Sequence, residues 1–330
     1  MQGRREAITQ SNKNAAALCR TVHFEGYAMS LNIPVHFVQQ FSSNIQLLLQ
    51  QRGSKLRETV MTGSHVGKQA SPVNQIAAVA ANRVTTRFGE MPRTDAAMDR
   101  RWVFPVDYDI AQLIDTFDKL RLLADPASDY VTNAQFALGR AMDDEIVAAY
   151  FGTAQTGETG ATGTTFGTTL TTAGGQNVSV SIGGTTSNMN VAKLREAKRR
   201  LMANEVDLDS EAITAVITAT EHDALLNEAQ VVSTDFNSKP VMVDGRVMQF
   251  LGINFKHCER LTTGTDDVAG TSRAIPVYAK SGMYLGVWAD IATSVDVRAD
   301  LQSRPWQAYA TMTCGATRIE EKRVVRVWCR

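Results

Sequence analysis

A phosphate-binding loop needs glycines, a lysine and a hydroxyl at fixed spacing, and the nearest approach is Gly63-Ser64-His65-Val66-Gly67-Lys68-Gln69. The run is one residue short, and Gln69 stands where a Ser or Thr must reach the magnesium ion, so it is rejected. Gly157, Gly160, Gly163 and Gly167 lie in low-complexity sequence with no strand before them and no helix after, which is not a dinucleotide fingerprint. His257-Cys258 offers two metal ligands, but two more at workable spacing are missing. Ser64 and His65 are adjacent, yet a nucleophile and its base are matched in space, and no G-x-S-x-G elbow occurs. The acidic run Asp143, Asp144 and Glu145 comes without a His or Cys and reads as a solvated helix face. Nothing here is a catalytic residue, a cofactor site or a metal centre.

The elements that would position a site are easier to read. Asp125 can cap a helix with Pro126 in its first turn, where a missing N–H costs nothing. Val131, Ala134, Leu138, Ala141 or Met142, and Ala148 or Ala149 recur at helical spacing, and Gly152 closes the run. A helix over 126–151 would reach about 37 Å at 1.5 Å per residue, the width of a domain. It reads as a spine. Upstream, Pro34 to Gln51 places Val35, Val38, Phe41, Ile45, Leu48 and Leu49 on one helical face. Leu56 to Lys68 is mixed and extended. Asn74 to Thr86 and Arg100 to Ile110 then form a pair of strands, the second alternating as Trp102, Phe104, Val106, Tyr108 and Ile110. The polar connection between them is too long for a tight turn. A hairpin with so little apolar material on one side is poorly anchored in its own chain and needs something else to lie on.

After the spine, Thr153 to Asn190 is dominated by Gly, Thr and Ser, the composition of a flexible loop, with a short hairpin around Val178 to Ile182. Asn190 caps a helix from Val191 to Asn204 whose apolar stripe is Val191, Leu194, Leu201 and Met202. Lys193, Arg195, Lys198, Arg199 and Arg200 crowd the rest of it. Ile213 to Thr218 reads as a strand, and Thr220 with Asp223 resembles a capping box. Asp244-Gly245, inside VMVDGRVMQF, signals a hairpin turn. Ile253 to Phe255, Ile275 to Ala279 and Met283 to Trp288 continue as strands, and the C-terminal stretch gives two more, joined near Arg318 to Lys322. The class is α+β, with no internal repeat of roughly 20 to 50 residues.

A chain of 330 residues can bury a large core. Its charges balance, 34 against 34, so the whole molecule is not an electrostatic binder of nucleic acid or of an anionic membrane. No apolar run approaches the roughly 20 residues needed to span a bilayer. Residues 1–28 are polar and unpatterned, read as disordered in isolation, and carry no secretory signal. The texture changes at Met29, which reads as an alternative start. Cys19, Cys258, Cys314 and Cys329 show no CxxC spacing and read as reduced thiols.

Read in order, several stretches match one family: VHFVQQFSSNIQLLLQQRGSKLRETV, RRWVFPVDYDIAQLIDTFDKLRLLADPASDYV, GRAMDDEIVAAYFGTAQTG, NVAKLREAKRRLMANEVDLD, LLNEAQVVSTDFN, DGRVMQFLGINF, KSGMYLGVW and GATRIEEKRVVRVWC. From Ser30 to Cys329 the chain resembles the major capsid proteins of tailed bacteriophages, which share the Hong Kong ninety-seven fold, and in particular a short-tailed phage group. The resemblance implies an N-terminal arm over 1–50, a connection over 51–73 and an extended E-loop hairpin over 74–115. It implies a peripheral domain over 116–206 with the spine at 126–151 and a Gly/Thr-rich loop at 153–190. An axial domain over 207–274 follows, and strands over 275–330 return to both domains. Some relatives wire their strands in a different order, so the topology stays open.

The implied function is an icosahedral shell of hexamers and pentamers enclosing the genome of a double-stranded DNA phage. The implied partners are further copies of the chain, a separate scaffolding protein, a portal protein, a decoration protein in some relatives, and packaged DNA held without sequence specificity. No cofactor and no membrane are implied. The implied location is the virion, and the host cytoplasm during assembly. A Lys–Asn crosslink known in some members finds no matching pair. Two other classes stay open: an encapsulin-like bacterial compartment, which shares the fold, and an enzyme whose site the sequence hides. On the shell reading, Arg87, Glu90, Arg93, Arg100, Arg101 and Trp102 lie on an adjacent subunit. The cluster Lys193, Arg195, Lys198, Arg199 and Arg200 faces the lumen in preference to a ring of ion pairs with Asp207, Asp209 or Glu211.

Overall fold

The computed structural model describes residues 49–83, 86–87, 89–90, 93–115, 127–167, 175–182, 186–232 and 245–330. The arm, nearly all of the helix expected from Pro34, the Asp125–Pro126 cap, Phe88 and Asp244 lie outside the described residues. In chain order the elements are β1 (Met61–Ser64), β2 (Ala70–Ile76), β3 (Met98–Val103), β4 (Val106–Ile114), α1 (Ala127–Phe151), β5 (Ala154–Thr156), β6 (Thr162–Thr164) and β7 (Asn177–Val178). They continue as α2 (Val191–Ala203), β8 (Ile213–Ile217), α3 (Ala219–Leu226), α4 (Ala229–Val232), β9 (Gln249–Phe250), β10 (Ile253–His257), β11 (Thr263–Thr265) and β12 (Thr271–Ala279). The last are β13 (Met283–Val297), β14 (Trp306–Arg318) and β15 (Val324–Cys329).

The spine helix α1 buries Ala134, Leu138, Met142, Ile146 and Tyr150, an i+4 row, against the sheet β1-β13-β14-β4. Each Leu, Ile or Met fully buried on that row contributes about 2 kcal/mol. Ala148 is exposed, so Ile146 and Tyr150 carry the C-terminal part of the stripe expected from the alanines. A second, seven-stranded sheet runs β7-β15-β12-β8-β10-β9, with β11 pairing the first residues of β12 off that path. Its central strand β8 is buried at every position, the pattern of a strand covered on both faces. The two sheets are stitched by continuous chain. β12 runs into β13 through Lys280–Gly282, and β14 into β15 through the turn at Glu321–Arg323.

The acidic run on the spine is a solvated face only in part: Asp143 is buried, while Asp144 stays about half exposed. Consecutive helical residues point about 100° apart, and the three carboxylates take three different partners. Asp143 is fully buried and accepts from Gln51, from Ser54 Oγ at 2.5 Å, and from the backbone N–H groups of Lys55 (3.0 Å) and Leu56 (3.2 Å). Asp144 pairs with Arg260, and Glu145 accepts from the Tyr108 hydroxyl. Asp143 thus fixes where the chain enters the domain. Close by, the Tyr150 hydroxyl donates to Tyr278 at 2.9 Å, Tyr278 meets Thr59 at 2.6 Å, and Thr59 donates to the Leu56 carbonyl at 2.7 Å. That buried chain ties spine, seven-stranded sheet and entry segment together.

Other expectations shift by a few residues. The capping box uses Thr218 as cap, with Glu221 reaching back to its N–H at 3.1 Å, in place of Thr220 and Asp223. The run ending at Phe250 pairs with β10 through a two-residue turn at Leu251-Gly252, both at positive φ, 53° and 78°. Val178 belongs to a short strand parallel to β15 and not to a hairpin.

Candidate functional site

The expected hairpin is real but starts and ends elsewhere. β2 pairs antiparallel with β3, and the strand predicted over Arg100 to Ile110 breaks at Phe104-Pro105 into two strands of different sheets. Pro105 has no N–H to give a ladder, so the strand cannot run on through it. β4 therefore joins β14 beside the spine, while β3 joins β5, which follows the spine. The hairpin accordingly has a partner in its own chain, contrary to the sequence reading.

What lets the chain turn from β3 into β4 is Gly315, one of a row of three glycines. Gly63, Gly286 and Gly315 are register partners across β1, β13 and β14. A Cβ on Gly315 would stand 2.1 Å from the Phe104 carbonyl oxygen, and one on Gly286 would meet Val103 at 3.3 Å. The bare band is the seat over which the hairpin leaves the sheet. Gly315→Ala pushes on backbone and not on a flexible side chain, so it is expected to cost about 3 kcal/mol, the upper end for overpacking. Chemical denaturation of the purified subunit measures it.

The base of the hairpin is held by ions. Arg101, expected on a neighbour, is buried; its Nη2 donates to Glu321 Oε2 at 2.8 Å and its Nε to Gln75 at 3.3 Å. The other oxygen of Glu321 accepts from Arg318 at 3.4 Å. Arg318 in turn donates to the carbonyls of Tyr150 and Gly152, both at 3.0 Å, at the C-terminus of the spine. A cation there answers the negative end of the helix dipole, and burial lowers the Arg318 pKa. The spine is thus capped by an arginine far along the chain, and Gly152 keeps an ordinary negative φ. Trp102, also expected on a neighbour, donates its indole N–H to the Gly157 carbonyl at 2.7 Å. Arg87, Glu90 and Arg100 are exposed, and Arg93 pairs locally with Asp95 at 3.0 Å. From Ile76 to Met98 nearly every described residue is exposed, with Ile76, Val79 and Met98 at 66%, 52% and 78%. Among the described residues the tip has almost no cover.

The basic helix α2 is also less uniform than its sequence. Lys193 is fully buried, donating Nζ to the carbonyls of Ser187 (2.5 Å) and Trp328 (2.8 Å), and burial lowers its pKa. Arg200 is buried and bridges Glu196 and the Gly175 carbonyl, at 2.8 and 2.9 Å. Neither can face a lumen, which removes two members of the expected cluster. Lys198 donates to the Leu251 carbonyl at 2.9 Å, Arg199 pairs with Glu196 at 2.6 Å, and both Arg195 and Arg199 are exposed.

No group of three or more His, Cys, Asp or Glu among the described residues could hold a metal ion. His257 pairs with Glu259 at 2.7 Å, and His65 meets the Tyr284 hydroxyl at 2.6 Å. Cys258, Cys314 and Cys329 are buried free thiols, and burial pushes Cys314 and Cys329 up to about 12. Thiolate is then scarce at any ordinary pH. These three are expected to resist an alkylating agent in mildly alkaline buffer and to react fully in denaturant, read residue by residue by mass spectrometry.

A family model for phage capsid proteins matches residues 33–330. The chain belongs to that family. This capsid protein also shares its fold with solved phage shells. The capsid of cyanophage P-SCSP1u is 13% identical, with a TM-score of 0.66 over 89% of this chain and 93% of that one. The capsid of a native GTA particle is 10% identical, with a TM-score of 0.65 over 91% and 99%. Cyanophage Pam1 gives 11% and 0.65 over 94% and 99%. No curated protein sequence matches the chain. The fold is therefore the α+β capsid fold, and the function is that of a phage major capsid protein, a self-assembling component of the virion shell. The family match favours the phage capsid over the bacterial compartment shell.

Proposed function

We propose that this capsid protein builds an icosahedral shell of hexamers and pentamers around packaged double-stranded DNA. The exposed hairpin tip carries that reading. The described residues between Ala77 and Ala97 are almost all exposed, above a base that is paired and buried. An element so placed gains its burial from a second copy. Contacts made by hairpin and sheets together would bury more than the roughly 1,600 Å² of a standard interface. The exposed Arg87, Glu90, Arg93 and Arg100 set the register of that contact more than its strength, because rim ion pairs contribute little individually. A separate scaffolding protein directs assembly in the host cytoplasm, a portal protein occupies one vertex, and a decoration protein is a further candidate partner. DNA is held by charge without sequence readout.

Co-expression with the scaffolding protein, followed by electron microscopy, is the test. Closed shells of uniform size are expected. Only monomers or open dimers over a range of salt and protein concentrations would overturn the reading.

A further inference from the structure

Helix α2 gathers its open positions on one ridge: Arg195, Arg199, Met202 and Ala203, with Met202 59% exposed. Arg195 has no hydrogen-bond or ion-pair partner among the described residues, although one carboxylate, Glu196, holds both Arg199 and Arg200. Two open grooves meet at Arg195 and Leu251, one lined by Gln249 and Phe250, the other by Ile182 and Met202. Together they form a trough of mixed lining, with Arg195, Lys198 and Arg199 outnumbering the one carboxylate, Glu196, which is already paired, and with Phe250, Leu251 and Met202 as its apolar part.

Just past the end of the same helix lies a patch of opposite sign. Glu205, Asp207 and Asp209 are exposed at alternate positions of an irregular segment. Asp207 accepts from Ser210 and from the Asp209 N–H at 3.0 Å, which leaves Glu205 and Asp209 as free carboxylates among the described residues. Helical rise puts Arg195 and Glu205 about 15 Å apart along the axis, too far to pair within one chain.

Both patches are built at a backbone cost. The Glu205 N–H bonds the Met202 carbonyl at 3.0 Å and the Val206 N–H bonds Leu201 at 3.1 Å, the closing pattern of a helix whose next residue is normally glycine. Here that residue is glutamate at φ 59°. Leu251, at φ 53°, occupies the first position of a turn that favours Asn or Gly. Left-handed backbone at a non-glycine residue is strained and persists only where the surrounding structure holds it, and such residues cluster at functional places. One such residue carries a charge of the acidic patch, and the other lines both grooves of the basic one.

We infer that the trough of one copy receives the Glu205–Asp209 segment of the next, with Arg195 facing those carboxylates. Two complementary patches at different places on one subunit make a heterologous contact, the kind that builds a ring when its rotation closes. The charges fix partner and register while Phe250, Leu251 and Met202 supply the apolar contact. This contact rests on the shell reading given above and specifies one of its ring interfaces.

The test uses Arg195→Glu, Asp209→Arg, both together, and Glu205→Gly, in the full chain co-expressed with scaffold. Rings and shells are counted by native mass spectrometry and electron microscopy. Each charge reversal alone should lower the assembled fraction at least about tenfold, equivalent to roughly 1.4 kcal/mol per contact, and the pair together should restore it. Glu205→Gly should leave the thermal midpoint of the unassembled subunit undiminished, since glycine suits the left-handed position, and still weaken ring formation. Wild-type assembly together with normal assembly of both single reversals would overturn the contact and leave the shell reading intact. So would two failing singles whose combination also fails. A wild-type protein that never assembles would remove the shell reading and this contact with it.

Discussion

Replacing Val79 to Asp95 by a two-residue Asn-Gly turn should leave a folded subunit that builds no closed shells. The strands Ala70–Ile76 and Met98–Val103 remain, and the last backbone bond that must survive is Ala77 N–H to the Ala97 carbonyl, at 2.8 Å. An Asn-Gly turn fits two strands closed at that point. Above it the described residues make few bonds, Asn82 to Thr94 at 3.2 Å among them. Losing them should change subunit stability by no more than about 0.5 kcal/mol. Assembly should fare differently. A contact that loses about 2.7 kcal/mol of interface falls about 100-fold in affinity, and every subunit of a shell makes that contact. Circular dichroism checks the fold and electron microscopy counts the shells. Shells at the usual yield would show that the hairpin tip has no part in assembly.

Glu321→Ala should be the most destabilising single substitution at the hairpin base, by about 3–5 kcal/mol. The side chains of Arg101 and Arg318 are 6% and 0% exposed, and Glu321 meets both, at 2.8 and 3.4 Å. Removing the carboxylate leaves two guanidinium groups in a dry environment, one of them already lowered in pKa by burial. The cost of an uncompensated buried charge exceeds what a surface pair contributes. Because Arg318 caps the spine and Arg101 sits in the hairpin, the loss should also loosen the joint between them. Denaturant unfolding gives the energy, and hydrogen exchange over 70–76 and 98–103 should rise before the spine itself opens. A loss below about 1 kcal/mol would mean that solvent screens the bridge.

The spine, the exposed tip, the cap at Asn190 and the C-terminal strands were legible in the sequence because each depends on local periodicity or on a residue's own backbone preference. Asn190 accepts from the Lys193 N–H at 2.8 Å whatever surrounds it. Charge is different. Five basic residues on α2 look alike in sequence, yet Lys193 and Arg200 are buried on carbonyls while Arg195 stands open, because helix rotation and the position of β15 decide which face is covered. Of Asp143, Asp144 and Glu145, Asp143 was misread for the same reason: three neighbouring carboxylates diverge around the helix, and only packing assigns each its partner. Arg318 and Glu321 left no local signal at all, since the helix end and the hairpin strand they serve lie 165 or more positions away or on another sheet. The glycine row shows the limit most plainly. Gly63, Gly286 and Gly315 are unremarkable in three separate stretches, and they become one seat only when strand register sets them side by side. Local sequence determined which elements form; tertiary register decided which charges are buried, which are shared and which are left exposed, because those depend on distances that no short stretch of chain contains.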